Sequence, residues 1–267
     1  MLRPPYQKYE TFYIYGFRDG HPALRVLDDP DLIGYWEEDG IGVLFFHKPK
    51  DALVQELINQ FNLTLEIKDE VPYTQWNERR IPQPFEVGPF KIAPLWYEGK
   101  WDLIFDPSVV FGEGTHPTTT LMLHSSWNFY KLYGLPESIL DLGCGSGILT
   151  LFWAKLGGKI RAIDINPLCV KVTQKNLSLN GLQAQVQEGD VREFKDFACD
   201  LLLANLYKGL LLDQFKREEF FSAKYYLLSG FTIGMEEEII DGLEEKPVRL
   251  LERKQIENWV CYLLCRI

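Results

Sequence analysis

The chain lacks any apolar run near the roughly eighteen residues that a membrane span needs, and its opening stretch, MLRPPYQKYE, has no apolar signal core. A cytoplasmic protein with no membrane partner is expected. An excess of positive charge is also missing: 28 Lys and Arg stand against 38 Asp and Glu, a net charge of -10 with a pI near 5.0. Phosphate contacts need clustered Lys and Arg, so direct nucleic-acid binding is not expected. A basic protein partner suits this surface better, although modest acidity also serves solubility alone. The chain has no paired set of cysteines either. Its five, Cys144, Cys169, Cys199, Cys261 and Cys265, are odd in number and lie in segments that read as buried, so reduced core thiols are expected. Cys261 and Cys265 have no partnering His nearby, and no metal site is expected there. Internal repeats and low-complexity tracts are absent.

What remains is a sequence with 46% apolar residues over 267 positions, enough to fill one large domain or a large and a small one. Residues 1–71 read as a small α+β unit. ETFYIYGF and IGVLFF have strand character, DALVQELINQF carries apolar residues at helical spacing, and LTLEIK alternates. The acids Asp28, Asp29, Asp31, Glu37, Glu38 and Asp39 fall between these elements and read as a solvated loop, or else as a docking face for a basic protein. Prolines at 72, 82, 84, 89 and 94 predict a stiff connector over residues 72–100, with no regular element.

From residue 101 to 267, short apolar strands alternate with helical stretches. SILDL precedes ILTLFWAKLG, KIRAIDI precedes PLCVKVTQKNLSLNG, AQVQEG follows, DLLLANL precedes LLLDQFKREEFF, and YYLLSG precedes MEEEIIDGLEE. That rhythm predicts right-handed βαβ units and a parallel sheet covered on both faces. The tail, VRLLERKQIENWVCYLLCRI, predicts two strands joined by a turn around 256–258, an antiparallel hairpin ending the sheet.

Two glycine clusters suggest a pair of loops closing on one ligand. In DLGCGSG, Asp141 stands at a strand end, followed by Gly143, Gly145 and Gly147 and then a helix. The glycines let the backbone turn sharply and a ligand approach it. The spacing is G-x-G-x-G, one residue short of the dinucleotide G-x-G-x-x-G, so a nucleoside with a short amino-acid arm fits better than a pyrophosphate. Asp141 agrees, because a carboxylate would repel a pyrophosphate and attract an ammonium or sulfonium. Asp164 ends the next strand and can accept both ribose hydroxyls, which together with the loop points to S-adenosyl-L-methionine. Asp190 is placed to contact the adenine amino group or to cap a helix. Asn205, leaving an apolar strand, needs partners, which substrate, cofactor or a tied loop would supply. Leu206 and Tyr207 follow it where base methylases often carry Pro-Pro-aromatic, which argues against a nucleic-acid base as substrate.

FGEGTHPTT, DLGCGSGIL, AIDINP and ANL occur in an order and spacing that resembles the ribosomal protein L11 lysine methyltransferase family (PrmA), over roughly residues 75 to 267 and including Trp76. The resemblance implies a Rossmann-like seven-stranded methyltransferase sheet preceded by a ferredoxin-like domain that recognises the ribosomal protein. It implies methylation of lysine ε-amines and sometimes of the N-terminal α-amine. It also implies that Thr119, Gly143, Asp164 and Asn205 contact S-adenosylmethionine, with Asn205 also bordering the methyl-transfer site, and a monomer is expected. In the loop at 111–116, Gly112 and Gly114 would let the chain fold over the cofactor as a lid. Pro117 would open a helix whose unpaired amides around 116 to 119 face the cofactor's carboxylate, with His116 as a brace.

Three features depart from the family pattern: Glu113 in place of a small residue, Tyr207 after Asn205, and no evident first helix in the front unit. Competing readings are a methylase acting on lysine of another protein, such as an electron-transfer flavoprotein or translation factor, and a catalytically idle cofactor-binding protein. A nicotinamide oxidoreductase loses on the glycine spacing.

Overall fold

The protein is described here from a computed structural model, which covers residues 6–38, 40–76 and 81–267. The chain begins with β1 (Thr11–Arg18), α1 (Pro22–Arg25), β2 (Leu32–Glu38), β3 (Ile41–Phe46), α2 (Asp51–Phe61) and β4 (Leu65–Pro72). The strands form an antiparallel sheet in the order β2-β3-β1-β4, the arrangement of a ferredoxin-like βαββαβ unit. Its first helix is a single turn. His21 caps it and Pro22 opens it, but the following Leu27, Asp28, Asp29 and Pro30 favour a turn and leave no room for a second.

The acids expected to share one loop divide between two settings. Asp29 and Asp31 precede β2 and pair with Lys50 at 2.9 Å each, while Glu37 and Glu38 belong to β2, and Asp39 lies outside the described residues. Charge hid this strand from the sequence reading, since its outer end carries the acids while Ile33 and Tyr35 are buried.

Next come α3 (Tyr73–Trp76), β5 (Phe85–Val87), β6 (Phe90–Pro94) and β7 (Leu103–Phe105). β5 and β6 form a hairpin, and β7 adds to β6 in parallel. The expectation of no regular element between 72 and 100 therefore fails. Pro84 precedes β5, Pro89 sits in the turn beside Gly88 (φ 58), and Pro94 closes β6, so the prolines border the strands without interrupting their ladder.

The large sheet is built from β8 (Ile139–Leu142), β9 (Ile160–Asp164), β10 (Gln185–Glu188), β11 (Leu201–Asn205), β12 (Tyr225–Thr232), β13 (Val248–Ile256) and β14 (Trp259–Arg266). The helices α4 (Pro117–Tyr133), α5 (Ile148–Lys155), α6 (Pro167–Leu179), α7 (Lys208–Phe215) and α8 (Glu236–Leu243) accompany it. The strand order is β10-β9-β8-β11-β12-β14-β13, with the first five parallel and β14 antiparallel to both its neighbours. Ile139, Leu201, Leu203 and Leu227 pack on one face, and Leu140, Leu142, Leu202 and Ala204 on the other. The order reverses between β8 and β11, so the loops leaving these strands open a crevice at the switch point.

The front sheet is fused to this body. Tyr15 and Phe17 face α2, while Phe12, Ile14, Ile33 and Phe45 join Val109, Val110, Leu168 and Val172 in one buried cluster. Gly34 is required at the contact, because a Cβ there would lie 2.2 Å from Leu168 Cδ1. The Tyr9 hydroxyl donates to Asp106 Oδ1 at 2.9 Å, and Lys175 of α6 pairs with Asp106 Oδ2 at 2.7 Å. None of the described helices is long and apolar enough to cross a membrane.

Candidate functional site

Gly143, Gly145 and Gly147 all have positive φ (69, 56 and 76), which carries the chain from β8 into α5 in five residues. A Cβ on Gly145 would lie 2.5 Å from the Phe111 carbonyl oxygen, because the 111–116 loop lies directly against this turn. The amide of Ser146 donates to that same carbonyl at 2.8 Å, and the Ser146 hydroxyl donates to Gly112 O at 2.6 Å. The two glycine clusters thus form one structure. α6 supports it from beneath: Thr173 Oγ1 donates to Gly145 O at 3.2 Å, and Asn176 Nδ2 donates to Ser146 O at 2.8 Å and to Asp106 O at 3.0 Å.

Asp141, 1% exposed, accepts a 2.6 Å hydrogen bond from Thr150 Oγ1 of α5. Burial pushes its carboxyl up to about 6; the Thr150 bond opposes the shift and the nearby Asp164 charge adds to it. Asp164 receives the amides of Gly145 and Asn166 at 2.9 Å, one on each oxygen, and burial raises its pKa against those two bonds. Its placement at the end of β9 leaves further acceptor capacity on both oxygens. Asp190 stands just after β10. Its carboxylate holds the backbone and guanidinium of Arg192, which lowers its pKa, while its carbonyl accepts the amides of Glu193 and Phe194. Asp190 thus caps a turn, since among the described residues no helix follows it before β11, and Arg192 is a partner that the sequence did not suggest.

His116 is the N-cap of α4. Its Nδ1 accepts the Thr118 amide at 3.3 Å and lies 2.8 Å from Thr118 Oγ1, so the amide at 118 is already satisfied rather than open to an anion. The Thr118 hydroxyl also accepts from Asn205 Nδ2 at 3.2 Å, which joins the loop to the end of β11. With Thr118 O–H and N–H both directed at Nδ1, the neutral His116 ring carries its proton on Nε2. Two buried polar atoms at this junction have no hydrogen-bond partner, Thr119 Oγ1 and Asn205 Oδ1. Buried acceptors and hydroxyls are rarely left so, which makes this junction a candidate place for a ligand. A glycine cradle, a strand-end carboxylate for hydroxyls and these two atoms fit a nucleoside with an amino-acid arm.

The family model for ribosomal protein L11 methyltransferase (PrmA) matches residues 25–266. The chain belongs to that family. Among its relatives, the ribosomal protein L11 methyltransferase of Carboxydothermus hydrogenoformans is 34% identical over 77% of this chain and 70% of its own length. That of Caldicellulosiruptor saccharolyticus is 25% identical over 90% of both chains. The crystal structure of a ribosomal protein L11 methylase from Lactobacillus delbrueckii subsp. bulgaricus shares the fold, with a TM-score of 0.60 at 23% identity over 69% of this chain and 98% of that one. The protein is therefore a methyltransferase, and its methyl donor is S-adenosylmethionine. The match begins at residue 25 and so takes in most of the front unit, well ahead of the residue 75 at which the motif resemblance starts.

Several residues that shape the site escaped sequence reasoning. Ser146 joins the loops, Thr150 holds Asp141, and Asn176 serves the glycine turn and the chain at Asp106 together. A signal for the last was present: Thr173 and Asn176 of α6 and Asn180 at its C-cap recur at helical spacing, a polar stripe beside an otherwise buried face. Tyr207 is 67% exposed beside the site, and Glu113 is buried in the loop.

Proposed function

We propose that the protein transfers methyl groups from S-adenosylmethionine to lysine ε-amines of ribosomal protein L11, and also to its N-terminal α-amine. The observation that carries this reading is Asn205, whose amide nitrogen is fixed by Thr118 and whose Oδ1 has no partner at the end of β11. An amide oxygen so held can accept a hydrogen from an amine and aim its lone pair. When bound, S-adenosylmethionine supplies a sulfonium-activated methyl group for an in-line displacement.

Alignment and a neutral nucleophile are what this chain must provide. A lysine with a pKa near 10.4 costs on the order of 4 to 5 kcal/mol to present neutral at pH 7. Desolvation within the closed loops and positive charge nearby reduce that cost, and Asn205 Oδ1 takes up one of the amine hydrogens. In this reading Gly143, Gly145 and Gly147 cradle the amino-acid arm, and Thr119 meets its carboxylate. Asp164 receives the ribose hydroxyls, Asp141 sets negative charge behind the turn, and Asp190 borders the adenine.

The test is incubation of the purified chain with labelled cofactor and ribosomal protein L11 from the same source, read by intact mass and peptide mapping. Gains in steps of one methyl on lysine are expected. Binding of S-adenosylhomocysteine without any transfer to L11 would remove the substrate from the reading and keep the cofactor.

A further inference from the structure

The loop that covers the glycine turn carries a carboxylate that neither the fold nor the assigned chemistry uses. Glu113 is 6% exposed, set between Gly112 (φ 104) and Gly114 (φ 91). Both flanking residues are pinned. Gly112 O receives the Ser146 hydroxyl from the glycine turn, and Gly114 O receives Thr120 Oγ1 from the first turn of α4 at 3.2 Å. A Cβ on Gly114 would lie 2.3 Å from Phe85 Cε1, so the aromatic wall of β5 closes the third side.

Within this enclosure the Glu113 carboxylate accepts one bond, from Thr115 Oγ1 at 3.1 Å, and among the described residues no cation pairs with it. The other acids of the site are committed differently. Asp141 is held by Thr150, Asp164 by two backbone amides, and Asp190 by Arg192. A second, independent sign of a ligand is Thr119 Oγ1, buried without a hydrogen-bond partner one residue before the Thr120 that pins Gly114. An enclosed carboxylate holds its charge at least cost when a cation meets it.

We propose that Glu113 binds a primary ammonium group beneath the loop, an inference that rests on the methyl-transfer reading above. Two ligands of that reaction carry such a group: the amino-acid arm of the cofactor and the incoming amine of the substrate, lysine or N-terminal, before it loses its proton. A small hydroxylated residue at this position would bind neither through charge.

Glu113→Gln keeps the shape and removes the charge. Calorimetric titration of the full chain with S-adenosylhomocysteine, and with 5′-methylthioadenosine, which lacks the amino-acid arm, separates the two sources when combined with steady-state methylation of L11. If the cofactor's ammonium is the ligand, the variant binds S-adenosylhomocysteine about tenfold or more weakly and 5′-methylthioadenosine as before, the size expected for losing a charged hydrogen bond. If the substrate amine is the ligand, both titrations stay unchanged and KM for L11 rises by a similar factor while kcat holds. Wild-type behaviour in all three measurements would overturn the proposal. So would equal weakening toward both nucleosides, which would mark damage to the loop alone. Failure of the wild-type chain to bind S-adenosylhomocysteine would instead overturn the cofactor reading, and this inference with it.

Discussion

The hydroxyl of Ser146, on the turn after β8, donates a 2.6 Å hydrogen bond to the carbonyl of Gly112, thirty-four residues earlier in the chain. Together with the Ser146 amide on Phe111 O, it holds the 111–116 loop against the glycine turn. Ser146→Ala keeps the amide bond and loses the hydroxyl. A buried hydrogen bond of this kind contributes about 1 kcal/mol, so S-adenosylhomocysteine should bind roughly fivefold more weakly, with little change in melting temperature. Titration calorimetry on the variant checks it, and unaltered affinity would show that the loop closes without this contact.

Asn205→Ala should act on turnover. The variant removes the Oδ1 acceptor and frees Thr118, and a drop in kcat of at least about a hundredfold is expected, in line with the loss of one positioned polar group in a closed site. Affinity for S-adenosylhomocysteine should fall far less. Full turnover by Asn205→Ala with normal cofactor binding would sink the proposed role.

Asp141 makes a pH test possible. Its carboxyl is raised to about 6 in the folded protein, against about 3.9 when unfolded, so the folded state binds the proton more tightly. The sign follows: this group's contribution to stability declines as pH rises from about 4 through about 6, and the full cost, about 3 kcal/mol, is present above that. Urea unfolding of the wild type should therefore show a loss from this group of about 2 kcal/mol between pH 4 and pH 7. Asp141→Asn should flatten that slope. An identical slope in both proteins would mean that Asp141 does not titrate in this window.

Gly230 interrupts β12 opposite the end of β11, with φ 101, and a Cβ there would lie 2.0 Å from the Leu206 carbonyl oxygen. That atom is backbone and cannot rotate away. Gly230→Ala should destabilise the fold by on the order of 3 kcal/mol and displace Leu206 and Asn205 together. Scanning calorimetry and the methylation rate should both register it; a melting temperature equal to wild type would show that the strand end adjusts freely.

How much of this was legible beforehand differs from residue to residue. The parallel sheet could be read because its strands are short apolar runs separated by helical patterns, and DLGCGSG announces a turn whose glycines then show positive φ at every expected place. The single-turn α1 matched the missing helix of the front unit. β2 was invisible because its acids outweighed Ile33 and Tyr35, and the hairpin of β5 and β6 because prolines at strand ends look like prolines that forbid strands. Side-chain partners were the least accessible, whether two residues apart or thirty-four. Nothing around Asp190 singles out Arg192 as its occupant, and nothing near Gly112 names Ser146. The first is decided by the path of a single turn and the second by the approach of whole elements, and the local pattern encodes neither.

The cluster shared by Phe12, Ile33, Val109 and Leu168 gives the front sheet and the large sheet's α6 side a common core. Val109 and Val110 immediately precede the loop that covers the glycine turn, and Trp76 donates to Val109 O at 2.9 Å. The front unit is thus not an attachment that could be exchanged for another without disturbing the rest of the chain. A graft of a foreign sheet would have to reproduce Gly34 against Leu168 and Tyr9 against Asp106, or it would loosen the segment that leads into the loop over the glycine turn. In this chain, a new front sheet and an intact glycine turn must be selected together.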